Sequence, residues 1–391
     1  MIILSIETSC DETAISIVEV AGDFPTAEYK VLSNTLFSQI ETHKLYGGVF
    51  PALAKREHIA TVLPLLKQAL AEADFSPTEI KPLNPTSEQQ NFLEDLLARE
   101  GDLATELLGF SVSYGIPPID VIAITTGPGL EPALWVGVNF AKALSYLWQV
   151  KVVPVDHMEG HIFASLFTGT ALALVEFPAL SLLISGGHTE LILMKDWRQY
   201  EKVGSTRDDA VGEAFDKVAR LLGLSYPGGP EIGRRASEAR AAALPPFATL
   251  PRPMLHSGDL DFSFSGLKTA VRYAVANRTL TEDEINAVAR DFENAVVEVL
   301  ISKLKTAIQQ FNIQTVIIGG GVSANHFLRQ QLNQFQAQSD FSHLPIFLPP
   351  PGMSTDNSLM IALAGHANLD KALSSTDFIQ NIRADGNKSL S

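Results

Sequence analysis

The sequence predicts an α/β protein of two lobes, each a sheet flanked by helices. Three observations carry this. Three short β-branched runs open the chain and lead into a long amphipathic helix, the second half repeats that alternation, and in three places a strand ends in a polar or glycine-rich turn.

Ile2–Glu7, Ala14–Val20 and Val31–Ser38 are the opening runs, separated by polar turn residues in the manner of an antiparallel meander. A helix over Pro51–Ala73 follows. Leu53, Val62, Leu65, Leu66 and Leu70 recur at helical spacing, Lys55, Arg56, Glu57 and Lys67 supply the wet side, and Pro64 predicts a kink or a break. Ser76–Pro118 has a different texture: SPTEIKPLNPTSEQQ reads as a linker, and NFLEDLLAREGDLATELLGF as one or two short helices of a surface insertion. Val121–Thr126 resumes the strands, and GPGLEPALWVG leads into another helix.

In the second half, Val152–Val155, Leu180–Ile184, Glu190–Met194 and Thr315–Ile318 read as strands, with helices over Asp209–Leu222, Glu282–Gln310 and Ala324–Gln334. The lobes are expected at 1–150, with the insertion at about 76–118, and at 151–352. Residues 353–391 are expected to carry a helix (about Asp356–Leu369) back to the first lobe and to end in a frayed polar tail from Ser374.

Composition excludes several classes. The 391 residues are 46% hydrophobic and 19% charged with one cysteine, so the chain is neither disordered nor stapled by internal disulfides. With 29 Lys+Arg against 44 Asp+Glu, a formal charge of −15 argues against gripping nucleic acid through the overall field. No run reaches the roughly 18 apolar residues of a bilayer span. MIILSIETSC has no basic lead. The expectation is a cytoplasmic protein with no membrane partner.

The three turns are IETSCDET (Ile6–Thr13), LLISGGHTEL (Leu182–Leu191) and VIIGGGVSAN (Val316–Asn325). Glycine lets backbone N–H groups approach a phosphate, and the third turn opens a helix whose N-terminus favours an anion. Any one alone reads equally as a tight connection; together they suggest a nucleotide held between the lobes. G-x-x-x-x-G-K-[ST] is absent, as is G-x-G-x-x-G after a first strand.

His157 and His161 stand four apart in VDHMEGH, so on a helix both imidazoles face one side and can share a metal ion. Met158 occupies the place of the zincin glutamate. STDNSLMIA offers Asp356 as a third ligand, although an Asp before a helix is most often an N-cap. Two imidazoles and a carboxylate suit one iron or zinc ion with positions open to substrate. His43 and His58 flank KLYGGVFPALAKRE and are expected to support the site or touch substrate.

IETSCDET, HKLYGGVFPALAKREH, GPGL, VDHMEGH, LISGGHTEL, DDAVGEAFDKVARLLGLSYPGGP, LDFSFSGLKTAV, GGGVSAN and STDNSLMIA, in that order, closely resemble the tRNA N6-adenosine threonylcarbamoyltransferase family, once labelled O-sialoglycoprotein endopeptidase. The resemblance spans Ile2 to about Gly365 except for Ser76–Pro118. It implies the two-lobed fold of actin and the sugar kinases with a nucleotide cleft. It also implies metal-assisted transfer of a threonylcarbamoyl group from threonylcarbamoyl-AMP to N6 of the adenosine 3′ of the anticodon in tRNAs reading codons that begin with A. The matching positions are His157, His161 and Asp356 for the metal, with iron favoured over zinc. For the adenylate they are Leu183, Ile184, Ser185, Gly186, Gly187, Asp216, Gly229 and Asn325. Asp11 and Glu12 are the carboxylates expected to act as base or to orient substrate. The implied partners are tRNA, a paralogous actin-like subunit and a P-loop ATPase.

The chain departs from the family pattern in three places: Ser354 stands where Cys is common, the 76–118 stretch is long, and the tail lacks a Pro/Trp-containing ending. A metalloprotease, a non-catalytic actin-like scaffold and a sugar or acetate kinase are the rival readings.

Overall fold

The computed structural model describes residues 1–75 and 83–390. The chain begins with β1 (Ile2–Glu7), β2 (Glu12–Ala21), β3 (Glu28–Ser38), α1 (Ile40–Lys44) and α2 (Pro51–Glu72). It continues through α3 (Ser87–Leu96), α4 (Leu103–Tyr114), β4 (Val121–Gly127), α5 (Glu131–Trp148), β5 (Lys151–Asp156) and α6 (His157–Leu166). Then come β6 (Ala179–Ile184), β7 (Thr189–Asp196), β8 (Gln199–Ser205), α7 (Val211–Leu221), α8 (Gly228–Ala241) and α9 (Ser265–Val275). The last elements are α10 (Glu282–Phe311), β9 (Thr315–Gly319), α11 (His326–Gln336), β10 (Ile346–Phe347), α12 (Ser358–Ala367) and α13 (Ser375–Asn381).

These elements form two compact α/β units. The first comprises residues 1–41, 49–173 and 356–389, and its sheet has the order β3-β2-β1-β4-β5. β1–β2 and β2–β3 pair antiparallel, whereas β1–β4 and β4–β5 pair parallel. The second comprises 42–48 and 174–355 with Leu390, and its sheet runs β8-β7-β6-β9-β10 with the same sequence of antiparallel and parallel pairings. This repeated five-stranded sheet, with two antiparallel and two parallel pairings, is the α/β architecture of the actin-like fold. Strand pairing moves the expected boundary at residue 150: β5 is bonded to β4, so it and α6 belong to the first unit.

In the first unit one face of the sheet buries Leu4, Ile6, Ile15, Ile17, Ile122 and Ile124 under α2 and α5. The other face is covered by α12, whose Gly365 lies so close to β4 that a Cβ there would meet Ala123 Cβ at 2.5 Å. In the second unit α10 supplies Phe292, Val296 and Leu300 to a core with Leu180, Leu182 and Ile184 of β6. The start of α10 is secured by a capping box of Thr281 and Glu284.

Several expectations are corrected here. Helix α2 is not broken at Pro64 and continues to Glu72, with the proline on the exposed side. The expected surface insertion is a core element: α3 and α4 bury Leu93, Leu103, Leu107 and Phe110 in one cluster with Val62 and Leu66 of α2. The helices are amphipathic, and α2 and α5 offer the apolar surface they need. The proposed start of the linker, residues 76–82, lies outside the described residues. The tail is not frayed. Ser374 caps α13, Phe378 is fully buried, the Asp385 N–H donates to Thr126 O at 2.9 Å and Lys388 Nζ donates to the Thr126 hydroxyl at 3.0 Å. β8 and α8 carry no clear apolar period, β8 because it is a mostly exposed edge strand and α8 because it opens on Gly-Gly-Pro. Among the described residues no helix is long and apolar enough to cross a membrane.

A core role for the inserted helices makes Leu107→Ala cost about 2–5 kcal/mol. Thermal melting followed by circular dichroism should show a lowered midpoint; a midpoint unchanged from wild type would return α4 to the surface.

Candidate functional site

His157 opens α6, and the Asp156 carboxylate before it caps the helix by accepting from the Met158 N–H at 2.9 Å. One helical turn on, His161 lies beside His157, with ring centroids 4.7 Å apart. Asp356 reaches both: its Oδ1 is 3.3 Å from Nε2 of each histidine. The expected capping role at this helix falls instead to Asn357, whose Oδ1 accepts from the Met360 N–H at 3.1 Å. That leaves the Asp356 carboxylate for the imidazoles. Glu159 points elsewhere and accepts from Asn368 Nδ2 at 2.8 Å.

The three ligand atoms lie within 4.8 Å of one another. His161 is 1% exposed, and apart from the 3.3 Å approach of Nε2 to Asp356 its ring nitrogens have no hydrogen-bond partner among the described residues. A buried imidazole without other hydrogen bonds, facing a carboxylate and a second imidazole, fits a cation that takes N and O ligands.

His157 is oriented from behind by a group the sequence reading missed. Its Nδ1 is 3.2 Å from Glu7 Oε2 and 3.1 Å from Ser9 Oγ. Glu7 is fully buried and also accepts from the Thr125 hydroxyl and the Ser9 N–H, each at 2.5 Å. A carboxylate accepting from Nδ1–H fixes the tautomer that presents Nε2 to the metal position. The one available signal was a carboxylate closing the apolar strand Ile2–Glu7.

Charge sets the site's protonation. Burial alone would raise the Asp356 carboxyl and lower His157, but their mutual attraction holds Asp356 far below the usual carboxylate range and, with Glu7, raises His157 well above the usual histidine value. Burial likewise pushes Glu7 up, and the His157 charge more than offsets it. Glu12 goes the other way, raised well above a normal carboxyl by burial, by the Asp356 and Asp11 charges and by a hydrogen bond with Asp11. Asp11 and Glu12 sit at the β1–β2 turn, 7% and 9% exposed. His58 holds this turn: its Nε2 donates to Cys10 O at 3.0 Å, which leaves Nδ1 to accept from the Thr13 hydroxyl at 2.7 Å. His43 is buried in α1.

The second unit holds a cavity of about 920 Å³. Of the eight expected adenylate positions, Gly186, Asp216, Gly229 and Asn325 line it. A Cβ on Gly186 or Gly229 would meet nothing within 4 Å, so both backbones border open space. Asp216 accepts from the Gly228 N–H at 2.7 Å, tying α7 to the start of α8. Ser185 and Gly187 share the β6–β7 turn with Gly186, where the Ser185 hydroxyl accepts from the His188 N–H at 3.1 Å. Leu183 and Ile184 are fully buried in β6, so only their backbone can serve a ligand. The cavity wall also contains Arg240, Glu293 and Phe327, which the motifs did not reveal.

The family model of tRNA N6-adenosine threonylcarbamoyltransferase matches residues 30–84 and 108–363. The chain belongs to this family. The interruption of the match falls across α3 and the start of α4. A protein of that name from Dehalococcoides mccartyi (strain BAV1) is 41% identical over 366 residues, covering 94% of this chain and 93% of its own. One from Staphylococcus aureus (strain RF122) is 40% identical over 369 residues, covering 94% and 91%. Among solved structures, full-length HypF in its phosphate- and nucleotide-bound form aligns with a TM-score of 0.49 at 12% identity, covering 94% of this chain and 55% of that one.

Four outcomes follow from the geometry of this family member. Elemental analysis should find about one metal per chain in wild type and almost none in His157→Ala, while Glu7→Gln, which keeps its shape but loses its charge, should bind metal about 10–100-fold more weakly in equilibrium dialysis. Metal affinity should also fall as pH drops, because the proton on the raised His157 must leave before the ion can bind. For the metal-free chain the sign reverses: protonated His157 stabilises the fold below the ordinary histidine value, and that contribution is lost as pH rises through the raised one. Metal titrations and melting curves between about pH 5 and 9 test both directions.

Proposed function

We propose that the chain transfers a threonylcarbamoyl group from threonylcarbamoyl-AMP to N6 of the adenosine just 3′ of the anticodon, in tRNAs whose codons begin with A. The cluster of His157, His161 and Asp356 in a member of this tRNA-modifying family carries the reading. An iron or zinc ion bound there would supply Lewis-acid polarisation of the threonylcarbamoyl carbonyl.

The chain's own residues do the rest. Glu7 and Asp156 keep His157 in register, and His58 keeps the Cys10–Thr13 turn in place. As N6 attacks the carbonyl carbon, a C–N bond forms, the carbonyl–oxygen bond to phosphate breaks and AMP leaves with that electron pair. The N6 proton needs an acceptor. Glu12, its carboxyl raised by burial and by the Asp356 and Asp11 charges, suits a general base, with Asp11 orienting it through their hydrogen bond. The backbone of Ser185, Gly186 and Gly187 would face the phosphate, and Asp216, Gly229 and Asn325 the nucleoside.

A chain carrying −15 does not neutralise tRNA phosphates alone. Work in the cytoplasm with a paralogous actin-like subunit and a P-loop ATPase accounts for tRNA recruitment by such an acidic protein.

The test supplies threonylcarbamoyl-AMP, tRNA and those partner subunits and quantifies the modified nucleoside by mass spectrometry. Wild type should modify tRNA and His161→Ala should not. Glu12→Gln should keep its metal and lose about 10²-fold or more in rate. Full activity in His161→Ala would sink the metal-assisted mechanism, and full activity in Glu12→Gln would remove Glu12 as base.

A further inference from the structure

The cavity wall in the second unit is built on a buried carboxylate. Glu293 is 1% exposed and accepts from Arg240 Nη1 at 2.6 Å and from Asn325 Nδ2 at 2.7 Å. Asn325 Oδ1 in turn accepts from the Leu328 N–H at 2.8 Å, so both ends of that amide are anchored. Arg240 Nη2 donates to Asn294 Oδ1 at 2.6 Å, and its Cζ lies 3.6 Å from the centre of the Phe327 ring.

An arginine that binds phosphate presents its N–H fork to the anion. Here one N–H of each terminal nitrogen already donates, to Glu293 and to Asn294, and the Glu293 charge offsets that of the guanidinium, which weakens its hold on a further anion. Phe327 lies against one face, and because Arg240 lines the cavity we infer that the opposite face is the flat surface offered to a ligand. Arg234, also on the wall, is paired with Glu231 and Glu238 at 3.0 and 2.6 Å. The pairing of both arginines makes a planar uncharged ring the better match for this part of the wall, while the open backbone at Gly186 suits phosphate.

We propose that Arg240 is the base-binding platform of this cavity: the adenine ring of the adenylate stacks on the guanidinium face turned away from Phe327, while Phe327 backs it and Glu293 positions it. The proposal rests on the adenylate reading given above and names the residues that recognise its base.

Calorimetric titration of the full-length chain with adenosine and with AMP tests it. Arg240→Lys keeps a cation beside Glu293 and removes the plane. It should weaken both ligands by the same factor, about tenfold, with metal content unchanged. Phe327→Leu, which leaves the ion pair whole, should weaken both in parallel by a smaller factor and serves if the lysine variant misfolds. Loss of AMP affinity alone would make Arg240 a phosphate ligand, and unchanged affinities for both would leave the wall without a role; either overturns the platform. A wild-type chain that binds neither ligand would overturn the adenylate reading itself, and the platform with it.

Discussion

Gly160 sits between His157 and His161, and a methyl group there would come within 3.0 Å of Met360 Cγ and Ile361 Cδ1. The absence of a side chain lets α6 and α12 approach closely enough for a carboxylate before one helix to reach two imidazoles on the other. Gly365 does the same on the far side of α12, against Ala123 of β4. The candidate centre thus depends on packing before it depends on ligand chemistry: two glycines fix where α12 lies, and Asn357 caps it so that Asp356 is free.

The electrostatic arrangement follows from that placement. Glu7, Asp11, Glu12 and Asp356 gather around two histidines in a poorly solvated pocket of the first unit, and burial opposes the charged form of each carboxylate whose protonation is perturbed. His157 answers two of them. Glu12 instead answers the crowding by holding its proton more tightly, which separates its role from that of Asp356 although both face the same centre. A cation bound by the histidines would ease the whole set.

Much of this was legible in the residues, for identifiable reasons. The strands of both sheets carry β-branched runs, and the histidine spacing in VDHMEGH matches one helical turn. Asp356 was legible as a ligand candidate, but its release from capping was not, because the next residue, Asn357, caps equally well. Glu7 was hidden by its position at the end of a strand, where a carboxylate reads as a solvated terminus until β4 brings Thr125 against it. Arg240 and Glu293 lie 53 residues apart on α8 and α10, and no local pattern announces a pair made by helix packing. The inserted helices misled in the opposite sense: the polar run ahead of them suggested a surface excursion, while Leu93, Leu103 and Leu107 already marked an apolar face.

The first unit is not continuous in the chain. It is interrupted after residue 173 and completed only by residues 356–389, with α12 laid over its sheet and the tail bonded to Thr126. During synthesis the histidines therefore emerge long before their carboxylate partner. Until α12 is made, the first unit lacks the helix that covers one face of its sheet, and the cluster of His157, His161 and Asp356 exists only once nearly the whole chain has been made. A message cut short near its end would yield a protein with most of its mass and no such cluster, and a cation that needs all three side chains would have to wait for completion of the polypeptide.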